Sequence, residues 1–276
     1  MSHSDIIFIN MCKEILDTGF SSEGLQVRPR WEDGTEAHTI KKFGVINRYN
    51  LSEEFPILTL RPINLAAAID EILWIWQKKS NNIKDLNSKI WNSWADKDGS
   101  IGKAYGYQLS RIINFKEGEM DQVDWILHTL KNDKMSRRMV TNLFNHDDLK
   151  EMALQPCAWS VTLNVTGDKL NMILNQRSQD ILVANSWNVC QYAILLHMFA
   201  ISSDLVPGEL IHIIADAHIY DRHIPIIEEL ITRQTFPAPT LHIDETVKNF
   251  YDFRVNHFTL KNYLSNKQLK NIPVAV

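Results

Sequence analysis

The chain has 276 residues, of which 45% are hydrophobic and 22% are charged, a balance typical of a globular protein with a sizeable core. The net charge of −4 argues against the basic surface that nucleic acids or anionic membranes select, so an anionic substrate would need locally gathered arginines. No stretch reaches the roughly 18 apolar residues of a membrane span, and the N-terminus does not resemble a signal peptide. Three distant cysteines, Cys12, Cys157 and Cys190, suggest neither a disulfide framework nor a metal motif. We therefore expect a cytoplasmic protein without a metal.

Hydrophobic periodicity predicts strands and helices in an irregular order. The first predicted helix is capped by Ser4 and Asp5 and ended by Gly19, and a strand follows over 43–51. We then expect helices over 65–79 and 121–133 and a hairpin of strands over 159–166 and 170–178. A helix over 187–205, stopped by Pro207 and Gly208, is followed by a strand over 209–220, a helix over 224–233, and short strands over 240–244 and 253–260. Repeats and long linkers are absent from the sequence, and the order is not a regular βαβ alternation. The sequence predicts a single α+β domain over residues 1–276, with a mixed, largely buried β-sheet packed by helices.

Cys157 follows Pro156 at the start of a predicted strand, where the segment reads MALQPCAWSVTLNV. Proline restricts the backbone, and junctions between loops and strands hold side chains at defined angles, so a thiol here can face a pocket. The alternative is a buried structural cysteine, which is the commoner use of a free cysteine. Taken alone, Cys157 favours the structural interpretation.

Two arginine-containing segments could bind an anion. The segment NQRSQD places Arg177, Ser178 and Asp180 at the end of a predicted strand. A guanidinium next to a hydroxyl suits an oxyanion such as phosphate, and a nearby cation would also lower the pKa of a thiol. A solvated ion pair between Arg177 and Asp180 is an equally good interpretation. Arg137 and Arg138 form a second cationic pair, although adjacent arginines are usually a solvated surface feature.

Polar residues inside apolar segments are further candidates. Asp216, His218 and Tyr220 alternate in one strand, so their side chains point to the same face, where they are costly to bury unless paired or used. Glu71 lies in a helix that is apolar on nearly all sides, and burial would raise its pKa, unless it is exposed beside Lys78 and Lys79. Asn188 begins a helix, where capping is the usual role, although its amide could read one edge of a base.

Taken together and in this order, these segments resemble the thymidylate synthase family. ALQPC resembles its Pro-Cys segment, NQRSQD its Gln-Arg-Ser-x-Asp strand, SWNVCQYA its Phe-Asn-x-x-x-Tyr helix start and DAHIY its Asp-x-His-x-Tyr strand. SRR, DEILW, IWNSW and the terminal VAV also match. The resemblance runs from about Phe43 to Val276, and five or more ordered motifs make coincidence improbable. It implies a fold in which the sheet mediates a homodimer.

The resemblance also implies a methyltransferase that converts dUMP to dTMP. The cosubstrate would be 5,10-methylenetetrahydrofolate, which supplies the one-carbon unit and the hydride and leaves as dihydrofolate, and neither metal nor flavin would be required. The nucleophile would be Cys157, which adds to C6 of uracil. The implied catalytic residues are Cys157, Glu71, Arg177, Asp216, Tyr220 and Asn188.

The resemblance assigns the ligands of both substrates. The implied dUMP ligands are Arg28, Arg137, Arg138, Gln176, Arg177, Ser178, Asp180, Asn188, His218 and Tyr220, with Arg137 and Arg138 donated by the partner subunit. The implied folate ligands are Ile90, Trp91, Trp94, Leu154, Asp180, Trp187 and Val276. The N-terminal phosphate segment is the poorest match to the family. Its Asp-Arg-Thr-Gly is absent, and the segment QVRPRWEDGT offers Arg28 or Arg30 instead, of which we favour Arg28.

The chain departs from the family pattern at several positions. Ala158 stands where a histidine is frequent, Thr162 and Leu163 replace a Gln-Phe pair, and residues 184–187 replace Gly-x-Pro-Phe. Two alternatives follow: a dCMP hydroxymethylase with the same cysteine and arginines, or a silent nucleotide-binding regulatory protein. Asn188 favours uracil, since the hydroxymethylases resemble the pattern with aspartate at this position.

Overall fold

The computed structural model describes residues 2–275, which form one mixed sheet with helices packed against it and two small hairpins. The helices are α1 (His3–Thr18), α2 (Leu65–Trp76), α3 (Gly106–Ser110), α4 (Gln122–Asn132), α5 (Ser186–Ile201) and α6 (Ile224–Leu230). The strands are β1 (Phe20–Ser21), β2 (Thr39–Asn50), β3 (Ile113–Phe115), β4 (Gly118–Met120), β5 (Val140–Asn142), β6 (Ala158–Thr166), β7 (Lys169–Gln176), β8 (Gln179–Asp180), β9 (Val206–Tyr220), β10 (Thr240–Ile243) and β11 (Phe258–Lys261). A π-helical turn, Ile181–Asn185, leads into α5.

The main sheet has the order β1-β2-β9-β7-β6-β5, and β8 also pairs with β9. The pairs β2/β9, β6/β7 and β5/β6 are antiparallel, whereas β7 and β8 run parallel to β9. The ends of β6, β7 and β9 therefore bring residues 157, 177 and 216–220 to one region of the sheet. This arrangement agrees with the predicted mixed sheet.

Helices α2 and α5 pack on each other in the core. The sequence LAAAIDEILWIW is apolar on nearly every side, so burial rather than amphipathicity sets the place of α2, and Asn64 caps it by accepting from the Ala67 N–H at 3.1 Å. The indole of Trp76 meets the rings of Tyr192 and Phe199 edge to face, with centroids 6.2 and 6.1 Å away. Glu71 consequently lies in the protein interior, 6% exposed.

Several predicted boundaries are wrong, and the strand expected over 253–260 begins only at Phe258. Helix α1 begins earlier than expected, with Ser2 as its N-cap, and the buried Asp5 instead accepts the Thr59 N–H at 2.8 Å. Helix α5 ends at Ile201, so Pro207 and Gly208 lie inside β9 rather than stopping a helix. A side chain at Gly208 would place its Cβ 2.3 Å from Asn171 Oδ1, so close packing of β7 against β9 explains the glycine.

Within residues 2–275, no helix is long and apolar enough to cross a membrane. The same residues contain no group of three or more histidine, cysteine or acidic side chains arranged to hold a metal ion.

Candidate active site

Both backbone polar groups of Cys157 are hydrogen bonded. Its N–H donates to the Tyr105 hydroxyl at 3.1 Å, and its carbonyl accepts the Arg177 N–H at 3.0 Å. The next residue, Ala158, pairs with Gln176 across β6 and β7. The thiol therefore lies at the junction of a loop and two strand ends, as the sequence suggested. Tyr105, which holds it, was not predicted.

The guanidinium of Arg177 reaches the same thiol. Its Nη2 lies 3.8 Å from Cys157 Sγ and donates to the Gln155 carbonyl at 2.8 Å, while its Nε donates to the Pro156 carbonyl at 3.1 Å. Burial raises the pKa of the Cys157 thiol above its ordinary value, and the positive charge of Arg177 lowers it and so offsets part of that rise. The sequence placed both residues at strand ends but left open an ion pair between Arg177 and Asp180. The guanidinium instead bonds the two backbone carbonyls beside the thiol.

Glu71 is surrounded by donors. Its Oε1 accepts from Trp91 Nε1 at 2.7 Å, and its Oε2 accepts from Trp187 Nε1 at 2.6 Å and Gln191 Nε2 at 2.8 Å. Burial raises the pKa of this carboxyl group, and the three hydrogen bonds work in the opposite direction by stabilising the ionised form. The predicted buried carboxylate is thus present, and the exposed alternative beside Lys78 and Lys79 is wrong.

Asn188 lies between amide side chains from three elements. Its Oδ1 accepts from Gln176 Nε2 and Gln179 Nε2, each at 3.2 Å, and its Nδ2 donates to Gln191 Oε1 at 2.9 Å. Gln176 Oε1 is hydrogen bonded in turn to Nε2 of the buried His212. Asn188 is the third residue of α5 and does not cap it. Sequence reasoning missed Gln179, Gln191 and His212.

The polar face of β9 forms as the alternation predicts. His218 Nδ1 lies 2.9 Å from Asp216 Oδ1, and Lys41 donates to the other carboxylate oxygen of Asp216 at 2.9 Å. The rings of His218 and Tyr220 meet edge to face at 5.0 Å. Partial burial raises the pKa of Tyr220 to about 12, so its hydroxyl stays protonated and can donate.

Asp180 connects the sheet to the C-terminal segment through His223. One carboxylate oxygen accepts the Val183 N–H at 3.0 Å and lies 3.6 Å from His223 Nδ1, and the other ring nitrogen of His223 donates to the Pro273 carbonyl at 2.7 Å. Burial disfavours the charged imidazole, but Asp180 and the Pro273 carbonyl outweigh it and raise the pKa of His223. His223 was not predicted from the sequence.

The arginines expected to bind phosphate differ in whether they already have partners. Arg30 donates to the Val27 and Pro29 carbonyls and pairs with Glu36, whereas Arg28 is exposed and carries no side-chain hydrogen bond among the described residues. The charge of Arg28 is close enough to lower the pKa of Tyr220. Arg137 and Arg138 are exposed on the segment before β5, with no ion pair to any described residue. Arg28 is therefore the less engaged of the two side chains, and its role as a phosphate ligand stays a prediction.

The expected folate ligands include a cluster of aromatic rings. Trp91 packs edge to face on Trp94 and on Tyr105, with centroids 5.6 and 5.3 Å away. Ile90 is 40% exposed, Leu154 and Trp187 are half-buried, and the carboxylate of Asp180 lies at the end of the sheet. Flat apolar surfaces suit a pterin ring, and a carboxylate suits its donor edge. Val276, the remaining expected ligand, lies outside the described residues.

A thiol next to a guanidinium, a buried carboxylate that accepts from an amide, and the exposed cation Arg28 near Tyr220 define the class of the protein. It is an enzyme equipped for nucleophilic cysteine catalysis on an anionic substrate.

Comparison with known proteins identifies the family. The family model described as thymidylate synthase matches residues 6–276. A thymidylate synthase from Bacillus mojavensis is 42% identical over 281 residues that cover 100% of both chains, and thymidylate synthase 1 from Bacillus subtilis (strain 168) is 42% identical over 274 residues, 98% of each chain. The structure of thermostable thymidylate synthase A from Bacillus subtilis superimposes with a TM-score of 0.95 at 40% identity and covers 100% of both chains. The chain belongs to the thymidylate synthase family.

Membership of this family makes the chain a methyltransferase that converts dUMP to dTMP with 5,10-methylenetetrahydrofolate as cosubstrate. The family, the reaction and the cosubstrate expected from the sequence are confirmed. The structural match over the whole chain also confirms the α+β fold class.

Proposed function

We propose that Cys157 is the nucleophile of dUMP methylation in this chain. The thiolate adds to C6 of the uracil ring, the electron pair of the C5–C6 double bond moves towards C5, and C5 becomes the carbon that accepts the one-carbon unit. Loss of the C5 proton, with cleavage of the bond between the methylene carbon and the folate nitrogen, leaves an exocyclic methylene group on C5. Addition of the hydride from the folate to that carbon then expels the thiolate and restores the ring double bond. The observation that carries this proposal is the Arg177 guanidinium, which lies 3.8 Å from Sγ and favours the thiolate.

The nucleotide is bound by charge at one end and by an amide at the other. Arg177, Ser178 and Arg28 bind the phosphate, as do Arg137 and Arg138 from the partner subunit, which explains how a net acidic chain takes a dianion. Asn188 bonds the uracil N3–H and O4, with Gln176 behind it. The deoxyribose hydroxyl meets His218 and Tyr220, and Asp216 orients the imidazole of His218.

The folate lies against the aromatic cluster. It supplies the one-carbon unit and the hydride of the reaction. Asp180 takes the donor edge of the pterin, and apolar side chains form the walls of the site: Ile90, Trp91, Trp94, Leu154, Trp187 and the C-terminal Val276. Glu71, tied to Trp91 and Trp187, orders the water that carries protons to and from the uracil O4 and the folate nitrogen.

The whole chain acts as one domain in a homodimer in the cytoplasm. The strands of the main sheet leave large apolar side chains exposed: Phe43 at 88%, Ile46 at 57%, Val140 at 46%, Val206 at 44% and Trp159 at 36%. Exposed apolar patches of this kind are typical of surfaces that a second subunit covers. Arg137 and Arg138 lie directly before β5, one edge strand of the same sheet, which suits their donation to a partner.

The test follows release of tritium from C5 of labelled dUMP, with and without 5,10-methylenetetrahydrofolate, and dCMP is run in parallel. We expect folate-dependent release and dTMP formation from dUMP, and none from dCMP. Hydroxymethylation of dCMP with no reaction of dUMP would contradict the proposal, as would nucleotide binding without turnover. A Cys157→Ala variant that kept full activity would rule out the proposed nucleophile.

A further inference from the structure

Gln191 links two residues that the proposed mechanism treats separately. It lies one turn after Asn188 on α5 and is 2% exposed. Its Oε1 accepts from Asn188 Nδ2 at 2.9 Å, and its Nε2 donates to Glu71 Oε2 at 2.8 Å and to the Ala68 carbonyl at 3.3 Å. One buried amide therefore uses its acceptor on the base-binding residue and both its donors on α2.

These bonds belong to a chain in which every donor points the same way. Burial lowers the pKa of His212 to about 3 and keeps the ring neutral. Its Nε2 is the protonated nitrogen because it faces Gln176 Oε1, which can only accept. Gln176 then donates to Asn188, Asn188 donates to Gln191, and Gln191 donates to Glu71. The chain starts at a neutral imidazole and ends on Glu71 Oε2, which accepts from Gln191 and Trp187. An ionised carboxylate can only accept hydrogen bonds, whereas a protonated one can also donate.

The neighbours of each amide in this hydrogen-bonded series prevent it from reversing its orientation. If Gln191 reversed, its oxygen would face both the Glu71 carboxylate and the Ala68 carbonyl. If Asn188 reversed, its Nδ2 would face the donors of Gln176 and Gln179, and its oxygen would face the oxygen of Gln191. Buried groups left opposite like groups lose their hydrogen bonds and are strongly disfavoured.

We infer that Gln191 is a positioning residue that holds the Asn188 amide in a single orientation by tying it to the carboxyl group of Glu71. The inference rests on the proposed function, in which Asn188 reads the base. Uracil presents a donor at N3 and an acceptor at O4, whereas cytosine presents an acceptor and a donor at the same places. A reversed asparagine amide would therefore suit cytosine, so locking the amide favours uracil.

The same link makes the choice of base sensitive to the ionisation of Glu71. The titratable groups facing Glu71 are Asp70 on α2, whose charge raises the Glu71 pKa, and Tyr105 and Tyr192, whose own pKa values burial raises, so that both stay neutral. A protonated Glu71 carries a proton that it can donate to Gln191, which removes the restraint on the direction of the chain. Discrimination against dCMP is expected to weaken as the pH falls through the pKa of Glu71.

The test measures binding of dUMP and dCMP by titration calorimetry, so it does not depend on turnover. A Gln191→Met variant keeps the side-chain length but loses both kinds of hydrogen bond, and its preference for dUMP over dCMP should fall about tenfold. Gln122→Met is the matched control, because Gln122 is also buried and donates to two carbonyl groups, but its partners lie in α3 and on β5. The control should keep the wild-type preference. An unchanged preference in Gln191→Met would overturn the inference.

A second variant tests the acceptor and the donor of the Gln191 amide separately. It also serves as the test if Gln191→Met does not fold. Gln191→Glu keeps an acceptor for Asn188 but sets a second carboxyl group against Glu71. It should retain the preference for dUMP, while the acid limb of kcat moves to higher pH by about one pH unit. A kcat profile identical to wild type would overturn the coupling. If the wild-type protein binds neither nucleotide, the proposed function is overturned. If the wild-type protein prefers dUMP and the variants behave as it does, only the inference about Gln191 is overturned.

Discussion

The guanidinium of Arg177 lies 3.8 Å from the sulfur of Cys157, and the same side chain donates to the carbonyl groups of Gln155 and Pro156. A buried thiol has a raised pKa, and this cation offsets part of the rise. Arg177 therefore acts on Cys157 twice, by holding the backbone segment that presents the thiol and by stabilising the thiolate.

Removing this cation should make Cys157 less reactive. In an Arg177→Gln variant the pKa of the thiol rises further and less thiolate is present at neutral pH, so alkylation by iodoacetamide should slow by about tenfold. The measurement is the alkylation rate against pH. Cys157→Ala supplies the background, which should be small because Cys12 and Cys190 are fully buried. Equal alkylation rates in Arg177→Gln and wild type would contradict this role of the arginine.

The donors around Glu71 should set its ionisation. Trp187→Phe removes one of the two hydrogen bonds to Glu71 Oε2 and raises the pKa of Glu71, so the acid limb of the kcat profile should move to higher pH by about half to one pH unit. Trp125→Phe is the control, because it makes the same substitution at a residue that stacks on Phe115 and does not contact Glu71. A shift of equal size in both variants would mean that the effect does not pass through Glu71.

Arg137 and Arg138 should act across the subunit interface. If each site takes these arginines from the partner, Arg138→Ala and Cys157→Ala are each inactive as homodimers, but a mixed dimer contains one intact site. Unfolding and refolding the two variants together should therefore restore about a quarter of wild-type activity by random pairing. Mixing that restored nothing, with dimers present by light scattering, would place the arginines in their own subunit's site.

His223 should make stability depend on pH. Its pKa is raised above 6.5 in the folded protein, so its ion pair with Asp180 stabilises the fold fully below pH 6.5, and that contribution is lost as the pH rises through the folded pKa. His223→Gln removes the charge. The Tm advantage of wild type over this variant should shrink by about 2 °C as the pH rises from about 6 to about 8, measured by calorimetry. A constant difference would show that His223 carries no charge.

Local patterns predicted most of the fold. The alternation in the ADAHIY segment predicted the polar face of β9, and the apolar composition of LAAAIDEILWIW predicted the burial of α2. Both features depend only on residues that are neighbours in the sequence. The prediction that Pro207 and Gly208 end a helix was wrong. Gly208 is a glycine because β7 packs against it, and β7 lies well before it in the sequence, where no local pattern reveals the contact. The order of strands in the sheet likewise depends on contacts that no local pattern contains.

The candidate site was predicted in its reactive groups but not in its supports. Cys157, Arg177 and Glu71 stood out through residue type and local context. Tyr105, His212 and the glutamines Gln179 and Gln191 did not, because each acts through a contact that only the folded core creates. Gln191 offered one signal, since an amide buried in the largely apolar helix α5 needs a hydrogen-bond partner, just as Glu71 does in α2.

The most direct test of the central claim is the site of covalent attachment. Fluorine at C5 of 5-fluoro-dUMP cannot leave as the proton does, so the adduct formed with 5,10-methylenetetrahydrofolate should persist. After denaturation and proteolysis, mass spectrometry should find both ligands on the peptide that contains Cys157, and no adduct in Cys157→Ser. An adduct on another residue, or a Cys157→Ser variant that is labelled as well as wild type, would contradict the assignment of Cys157 as the nucleophile.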